Sequence, residues 1–240
     1  MFQLFEKIES PFRYDSLVQL KSLVGYREAK PFPHAIVDNF FNQKFLKKIL
    51  NEWPTNQKNS FEVHDDGKNV VGKTSSTYLS KIGKHTSSLY QYMASPQFLS
   101  CLESVTGIRG LIADPYLFGG GLHETRLAGK LGIHLDFNIH PTLRLFRRVN
   151  VLIYLNEGWS DDNQGWFEMW DADNMRCVSK ILPIFNRMVI FSTSSKSYHG
   201  QPSPIKGGPS LTRKSVAFYY YSYEATSDIG SSEHSTIWKE

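Results

Sequence analysis

The stretch "GIHLDFNIH", residues 132–140, sets His134, Asp136 and His140 into an otherwise largely apolar frame. In an extended chain the side chains at i and i+2 leave the same face, so His134 and Asp136 aim at one point while Ile133, Leu135 and Phe137 face the other way. Such a pair supplies two of the three ligands of a two-histidine, one-carboxylate set. That set leaves positions open on an octahedral ion and suits non-haem Fe(II). The third ligand then has to come from another strand. On spacing alone, a core strand ending in a satisfied histidine and an outward aspartate fits equally well.

With 8 His and 11 Asp in 240 residues, about 0.4 His-x-Asp pairs arise by chance, and this chain has two. The other, His64 and Asp66, lies in "VHDDGK", where Asp65 and Gly67 announce a turn that would not hold two ligands on one face. It reads as accidental. His140 precedes Pro141, which ends the extended run, so it is expected in a loop or at the surface rather than as a fourth ligand.

Outward from this stretch, short apolar runs alternate with turn residues after Gly107: "LIADPYLF", "LGIHLDF", "VNVLIYLN", "WFEMWD", "RMVIFS" and "SVAFYYYS". Strands of this length and spacing predict a sandwich or barrel, and an eight-stranded jelly roll fits. An aromatic content of 14% agrees with a strand-rich chain. Before Gly107 the pattern is mixed. Ala35 to Val37 reads as a short strand. Phe45, Leu46, Ile49, Leu50 and Trp53 form a helical stripe stopped by Pro54, and a second helix is expected from about Ser87 to Ser104. The segment between them reads as loop with one strand at most. The expected organisation is one domain over 1–240: helical support to about 106, a jelly-roll core over about 107–223, and a polar tail, 224–240, free or lying against the surface.

Composition narrows the function classes. The net charge of +4 is spread along the chain except in "RLFRR", where Arg144, Arg147 and Arg148 are expected to form a solvated face, so no nucleic-acid partner is expected. Two cysteines without a Cys-x-x-Cys pair fit a reduced, cytoplasmic setting. The first ten residues lack the apolar core of a secretory signal, and no apolar run is long enough for a membrane span.

Sixty-three residues after Asp136 comes His199 in "LPIFNRMVIFSTSSKSYHGQPSP", and fourteen further on Arg213 opens "RKSVAFYYY". Together with His134-x-Asp136, "VNVLIYLNEGW", the entry "PFPHAIVDNFF" and "FGGGLHET", this order resembles the Fe(II)- and 2-oxoglutarate-dependent dioxygenases, in particular their prolyl 4-hydroxylase-like branch. The likeness runs from about Pro31 to Tyr223. It implies a mainly β fold with flanking helices, built on a double-stranded β-helix (a distorted jelly roll). It implies His134, Asp136 and His199 as iron ligands and Arg213 as the grip on the distal carboxylate of 2-oxoglutarate, a task suited to a forked guanidinium. Tyr154 matches a position that often adds a hydroxyl to that carboxylate. Ser215, two residues after Arg213 on one face, is a further candidate; core packing and a cross-strand hydrogen bond are the alternatives for both.

The implied activity hydroxylates an unactivated C–H bond while 2-oxoglutarate and O2 become succinate and CO2, with ascorbate in support. The implied substrate is a prolyl residue in a peptide or protein; a free amino acid or other small metabolite, a non-catalytic binding module and a zinc hydrolase on the same ligands are the alternatives. Retention of Asp136 favours hydroxylation over halogenation, because halogenating relatives carry a small residue there. Two departures stand out. Gln164-Gly165 replaces the Gly-Gly often found before "WFEMWD". Tyr219 stands where nucleobase demethylases carry a second arginine. The glycines Gly119 to Gly121 match no phosphate loop and read as a mobile loop near the iron. Trp159, Trp166 and Trp170 are candidates for core or for the substrate mouth.

Overall fold

The computed structural model describes residues 10–54, 61–77, 83–224 and 232–239, so the N-terminal stretch 1–9 lies outside the described residues. Helices α1 (Ser16–Lys21), α2 (Gln43–Asn51), α3 (Lys84–Met93) and α4 (Pro96–Thr106) precede most of the sheet. Among the described residues no helix is long and apolar enough to cross a membrane. The single helix expected near Ser87 to Ser104 is two. Pro96 cannot continue α3; it opens α4 at its first turn, and the Ser95 hydroxyl accepts from Phe98 N.

The strands are β1 (His34–Asp38), β2 (Glu62–His64), β3 (Val70–Ser76), β4 (Ile112–Ala113), β5 (Gly121–Leu135), β6 (Phe146–Tyr154), β7 (Phe167–Asp171), β8 (Arg176–Ile181), β9 (Arg187–Ser192), β10 (His199–Gln201), β11 (Thr212–Ser222) and β12 (Ile237–Trp238). They form one curled antiparallel sheet in the order β1-β9-β6-β11-β5-β10-β7-β8, with β3 and β12 also on β5, β2 on β3 and β4 on β11. The distorted jelly roll expected from the sequence is present. The segment before Gly107 supplies three of its strands as well as the helices, and β8, β10 and β12 lie outside the six apolar runs that the sequence marks as strands.

β5 places the site. Its first half pairs with β11 (Gly121↔Ala217 to Arg126↔Thr212), whereas near its end His134 stands opposite His199 of β10. One strand therefore serves both layers of the roll, bending at Ala128, whose φ is 61°. β10 comes very close to β5: a Cβ on Gly200 would lie 2.5 Å from the Gly132 carbonyl oxygen, so only glycine permits the contact that sets the two histidines side by side.

Period-two alternation divides β6 and β11 between two faces. Val149, Val151, Ile153, Val216 and Phe218 pack outward against Phe45, Leu46, Ile49, Phe98 and Leu102 of the helices. Residues of opposite parity, including Asn150, Leu152, Arg213, Ser215 and Tyr219, face a cavity inside the roll. Asn186 ties the entry segment to the barrel: its side chain donates to Phe41 O (2.8 Å) and accepts from Phe41 N (3.0 Å) while its backbone holds φ at 62°. Replacing it by Ala strands two buried backbone groups and forces a conformation that Asn tolerates better, so Asn186→Ala is expected to lower stability by about 2–4 kcal/mol in urea unfolding.

Candidate metal centre

His134 is the penultimate residue of β5, Asp136 follows it by two, and His199 opens β10; one ligand atom from each lies within 4.8 Å of the others. The orientation of both rings is set by the backbone. His134 Nδ1 lies 2.8 Å from Gly132 O and His199 Nδ1 2.8 Å from Ser197 O. A carbonyl only accepts, so each Nδ1 carries the proton and each Nε2 presents a lone pair. Those lone pairs face the carboxylate, His134 Nε2 at 3.6 Å from Oδ1 of Asp136 and His199 Nε2 at 3.5 Å from Oδ2. These separations are too long for hydrogen bonds, and no proton lies between them to share. Three acceptors converge without a donor among them, the donor set a divalent cation of nitrogen and oxygen preference fits. Burial pushes the His199 imidazole down to about 4 against the pull of Asp136, consistent with a neutral ring.

Asp136 is held ionised from behind. Arg147 Nη2 lies 3.0 Å from its Oδ2, Asn150 Nδ2 donates to the same oxygen at 2.8 Å, and Arg147 Nε donates to Asn150 Oδ1 at 2.9 Å. Burial would raise this carboxyl, but the opposing pull, led by the Arg147 guanidinium, holds it well below the usual carboxylate range. Arg147 is only 2% exposed and its guanidinium lies over Tyr219, 3.5 Å from the ring centroid.

The solvated face expected of "RLFRR" is therefore corrected. Only Arg144 is exposed, in a forked pair with Glu233; Arg148 is buried and donates to Ser222 Oγ and Glu224 O. The cause is a register shift. Tyr220 pairs with Val149 but Tyr221 pairs with Arg147, so Arg148 is the extra residue of a bulge that turns Arg147 inward.

His140 lies in a loop, as expected, but is fully buried rather than at the surface, and it is not among the three converging ligands. Its Nδ1 accepts from Thr142 N and Leu143 N, which leaves Nε2 facing Asp114 Oδ1 at 3.3 Å. The same aspartate accepts from Tyr116 N and Phe118 N, so this buried pair anchors the loop leading to Gly119, part of the cavity wall. The tail forms β12: Trp238 pairs with His134, its ring 5.0 Å from the imidazole, and lines the cavity. His64 and Asp66 do not converge on a site. Asp66 accepts from the backbone of Lys68, Asn69 and Val70, and His64 Nε2 contacts Ser75 Oγ at 2.7 Å. Trp159, Trp166 and Trp170 stay off the cavity wall and are tied to Gln164 O, Asp161 and Glu168.

The cavity beside the three ligands has a volume of about 580 Å³. Arg213 and Ser215 line it from β11. Arg213 Nε donates to Gly165 O (2.9 Å), so the Gln164-Gly165 departure touches this arginine, and the guanidinium carbon is 4.9 Å from the Tyr154 ring centroid. Tyr154 itself lies behind the wall, across from Ser215; its buried hydroxyl, near Arg213, makes no hydrogen bond of ordinary geometry.

Comparison with known proteins agrees with this geometry. Residues 121–221 match the family model described as the 2OG-Fe(II) oxygenase superfamily. The prolyl 3-hydroxylase OGFOD1 of Mus musculus is 26% identical over 78% of this chain, and the chain spans about 35% of that relative's length. A prolyl hydroxylase from Trichoplax adhaerens, solved with a peptide fragment of the oxygen degradation domain of hypoxia inducible factor, superposes with a TM-score of 0.60 at 18% identity, covering 86% of this chain and 90% of that one. A prolyl-4-hydroxylase from Pseudomonas putida gives 0.58 at 15% identity, covering 85% and 98%.

Because Arg147 neutralises a buried carboxylate, Arg147→Met is expected to destabilise the fold by about 3–5 kcal/mol in chemical denaturation. Adding Asp136→Asn to that variant removes the stranded charge and is expected to recover most of the loss.

Proposed function

We propose that the chain is a member of the 2OG-Fe(II) oxygenase superfamily, whose family model residues 121–221 match, and that it acts as an Fe(II)- and 2-oxoglutarate-dependent hydroxylase on a prolyl residue of a peptide or protein. The observation that carries this reading is the convergence of His134 Nε2, His199 Nε2 and the Asp136 carboxylate, with no donor among them, beside a cavity that also holds an arginine. The prolyl class is supported by the three relatives named above, each a prolyl hydroxylase by name.

His134, Asp136 and His199 are the residues to hold the iron. When bound, Fe(II) with 2-oxoglutarate and O2 supplies the oxidising power for C–H hydroxylation, with succinate and CO2 as co-products. The chain's own work is binding, orientation and exclusion of water. The carbonyls of Gly132 and Ser197 keep each imidazole in the Nδ1–H tautomer, so the ligand nitrogens need no deprotonation. Arg147 and Asn150 fix the carboxylate of Asp136 and leave it anionic. Arg213 is placed to grip the distal carboxylate of 2-oxoglutarate through its remaining N–H groups, its Nε being committed to Gly165 O. Ser215 offers a hydroxyl on the same wall. The Tyr154 hydroxyl, left over in the barrel, is the group to join that carboxylate.

The reading extends to 1–240 as one catalytic unit, supported by the core that helices α2 to α4 share with β6, β9 and β11. It includes ascorbate as a supporting reductant and a cytoplasmic setting, in keeping with two free cysteines.

Incubated with Fe(II), ascorbate and 2-oxoglutarate, the protein is expected to form succinate and to add 16 Da to a prolyl peptide, and His199→Ala to abolish both; undiminished turnover in that variant sinks the ligand assignment. Arg213→Ala is expected to weaken 2-oxoglutarate binding by about tenfold or more while leaving anaerobic metal binding intact, as measured by titration. Loss of metal instead would contradict its role.

A further inference from the structure

Across the cavity wall, strand register lines up four side chains from four strands. His64 of β2 pairs with Lys73 of β3, Lys73 with Thr125 of β5, and Thr125 with Arg213 of β11. All four line the cavity. The two cations of this row differ in their company. Arg213 leans toward β6 and β7, tied to Gly165 O and lying over Tyr154. The ammonium of Lys73, half-buried on the wall, makes no hydrogen bond or ion pair among the described residues.

An ammonium withdrawn from bulk water without a counter-charge is costly, so one that faces a cavity marks a place where an anion is stabilised. No carboxylate of the wall serves. Asp136 is occupied by Arg147, Asn150 and the two histidines, and Glu62 stands one register pair further along β2, opposite Ser75. Burial lowers Lys73 to about 8 despite Asp136, with Arg213 and Arg147 adding to the shift, so a bound anion would stabilise its charged form. Nor is Lys73 a second hand on the carboxylate assigned to Arg213. The two residues sit two strand spacings apart, about 10 Å between backbones, and Arg213 is drawn to the far side.

Resting on the reading above, we propose that Lys73 binds a carboxylate carried by the substrate, so that the site selects an acidic substrate: an Asp or Glu next to the target residue, or a free chain-terminal carboxylate on it. The Thr125 hydroxyl, beside Lys73 in the row, is available to the same group. His123, the next inward residue of β5, has Nε2 committed to Gly119 O and Gly120 O and is not available through that nitrogen.

The test measures binding rather than turnover. The protein is loaded with Mn(II) under nitrogen, with and without 2-oxoglutarate, and titrated with matched probes. These are prolyl peptides with Asp or Glu beside the proline, peptides ending in a free proline carboxylate, and the Asn, Gln and prolinamide counterparts of each. Carboxylate members are expected to bind about tenfold or more tightly than their amides. Which pair shows the preference identifies the source of the carboxylate. Lys73→Gln is expected to erase the preference and keep 2-oxoglutarate affinity within about twofold, Lys73→Arg to restore the preference, and Lys73→Glu to turn it toward lysine-containing peptides. Equal binding of both members by the wild type, including no detectable binding of either, overturns the proposal. So does a preference that survives in Lys73→Gln, or a loss confined to 2-oxoglutarate affinity. Failure of the wild-type protein to bind 2-oxoglutarate at all overturns the cosubstrate assignment instead, and the carboxylate preference is still read from the metal-loaded protein alone.

Discussion

The contact between Arg147 and Asp136 is the one on which the rest of the centre depends. A carboxylate set between two imidazoles and largely removed from water would take up a proton if nothing opposed it. With Arg147 3.0 Å away and Asn150 donating to the same oxygen, it stays ionised. Burial meanwhile holds the His199 imidazole down at about 4, and the carbonyls that accept from Nδ1 turn Nε2 of both rings toward the carboxylate. Charge and tautomer are thus settled by the protein before any ligand arrives, which is what preorganisation of a metal site means physically.

That contact in turn depends on irregularities in the sheet. The bulge at Arg148 sends Arg147 inward; without it, strict alternation would put Arg148 on the face of Asn150. The bend at Ala128 lets β5 present His123 and Thr125 to one end of the cavity and His134 to the other. Gly200 allows β10 to close on β5. The tail strand β12 then completes the wall with Trp238 beside His134.

The order of His134, Asp136, His199 and Arg213 was legible because each is marked by local pattern: alternation within a strand, or a position at the edge of an apolar run. The jelly roll was legible for the same reason. What escaped the sequence depends on non-local pairing. Arg147 looked like part of a solvated charge run, since nothing local announces a bulge set by the partner strand β11. His140 looked exposed, since Pro141 does end the strand, but its burial comes from Asp114, Tyr116 and Tyr221 elsewhere in the chain. Lys73 sits in a segment read mostly as loop, and its place opposite Thr125 is fixed only by pairing with β5. The helix expected from Ser87 to Ser104 broke on a signal that was present, Ser95 before Pro96.

The most direct measurement is a crystal structure of the protein loaded anaerobically with Mn(II) and 2-oxoglutarate. The metal is expected on His134 Nε2, His199 Nε2 and Asp136, with Arg147 and Asn150 still on the carboxylate and the distal carboxylate of 2-oxoglutarate on Arg213. A metal bound through other residues, or a 2-oxoglutarate carboxylate held by Lys73 rather than Arg213, would contradict it.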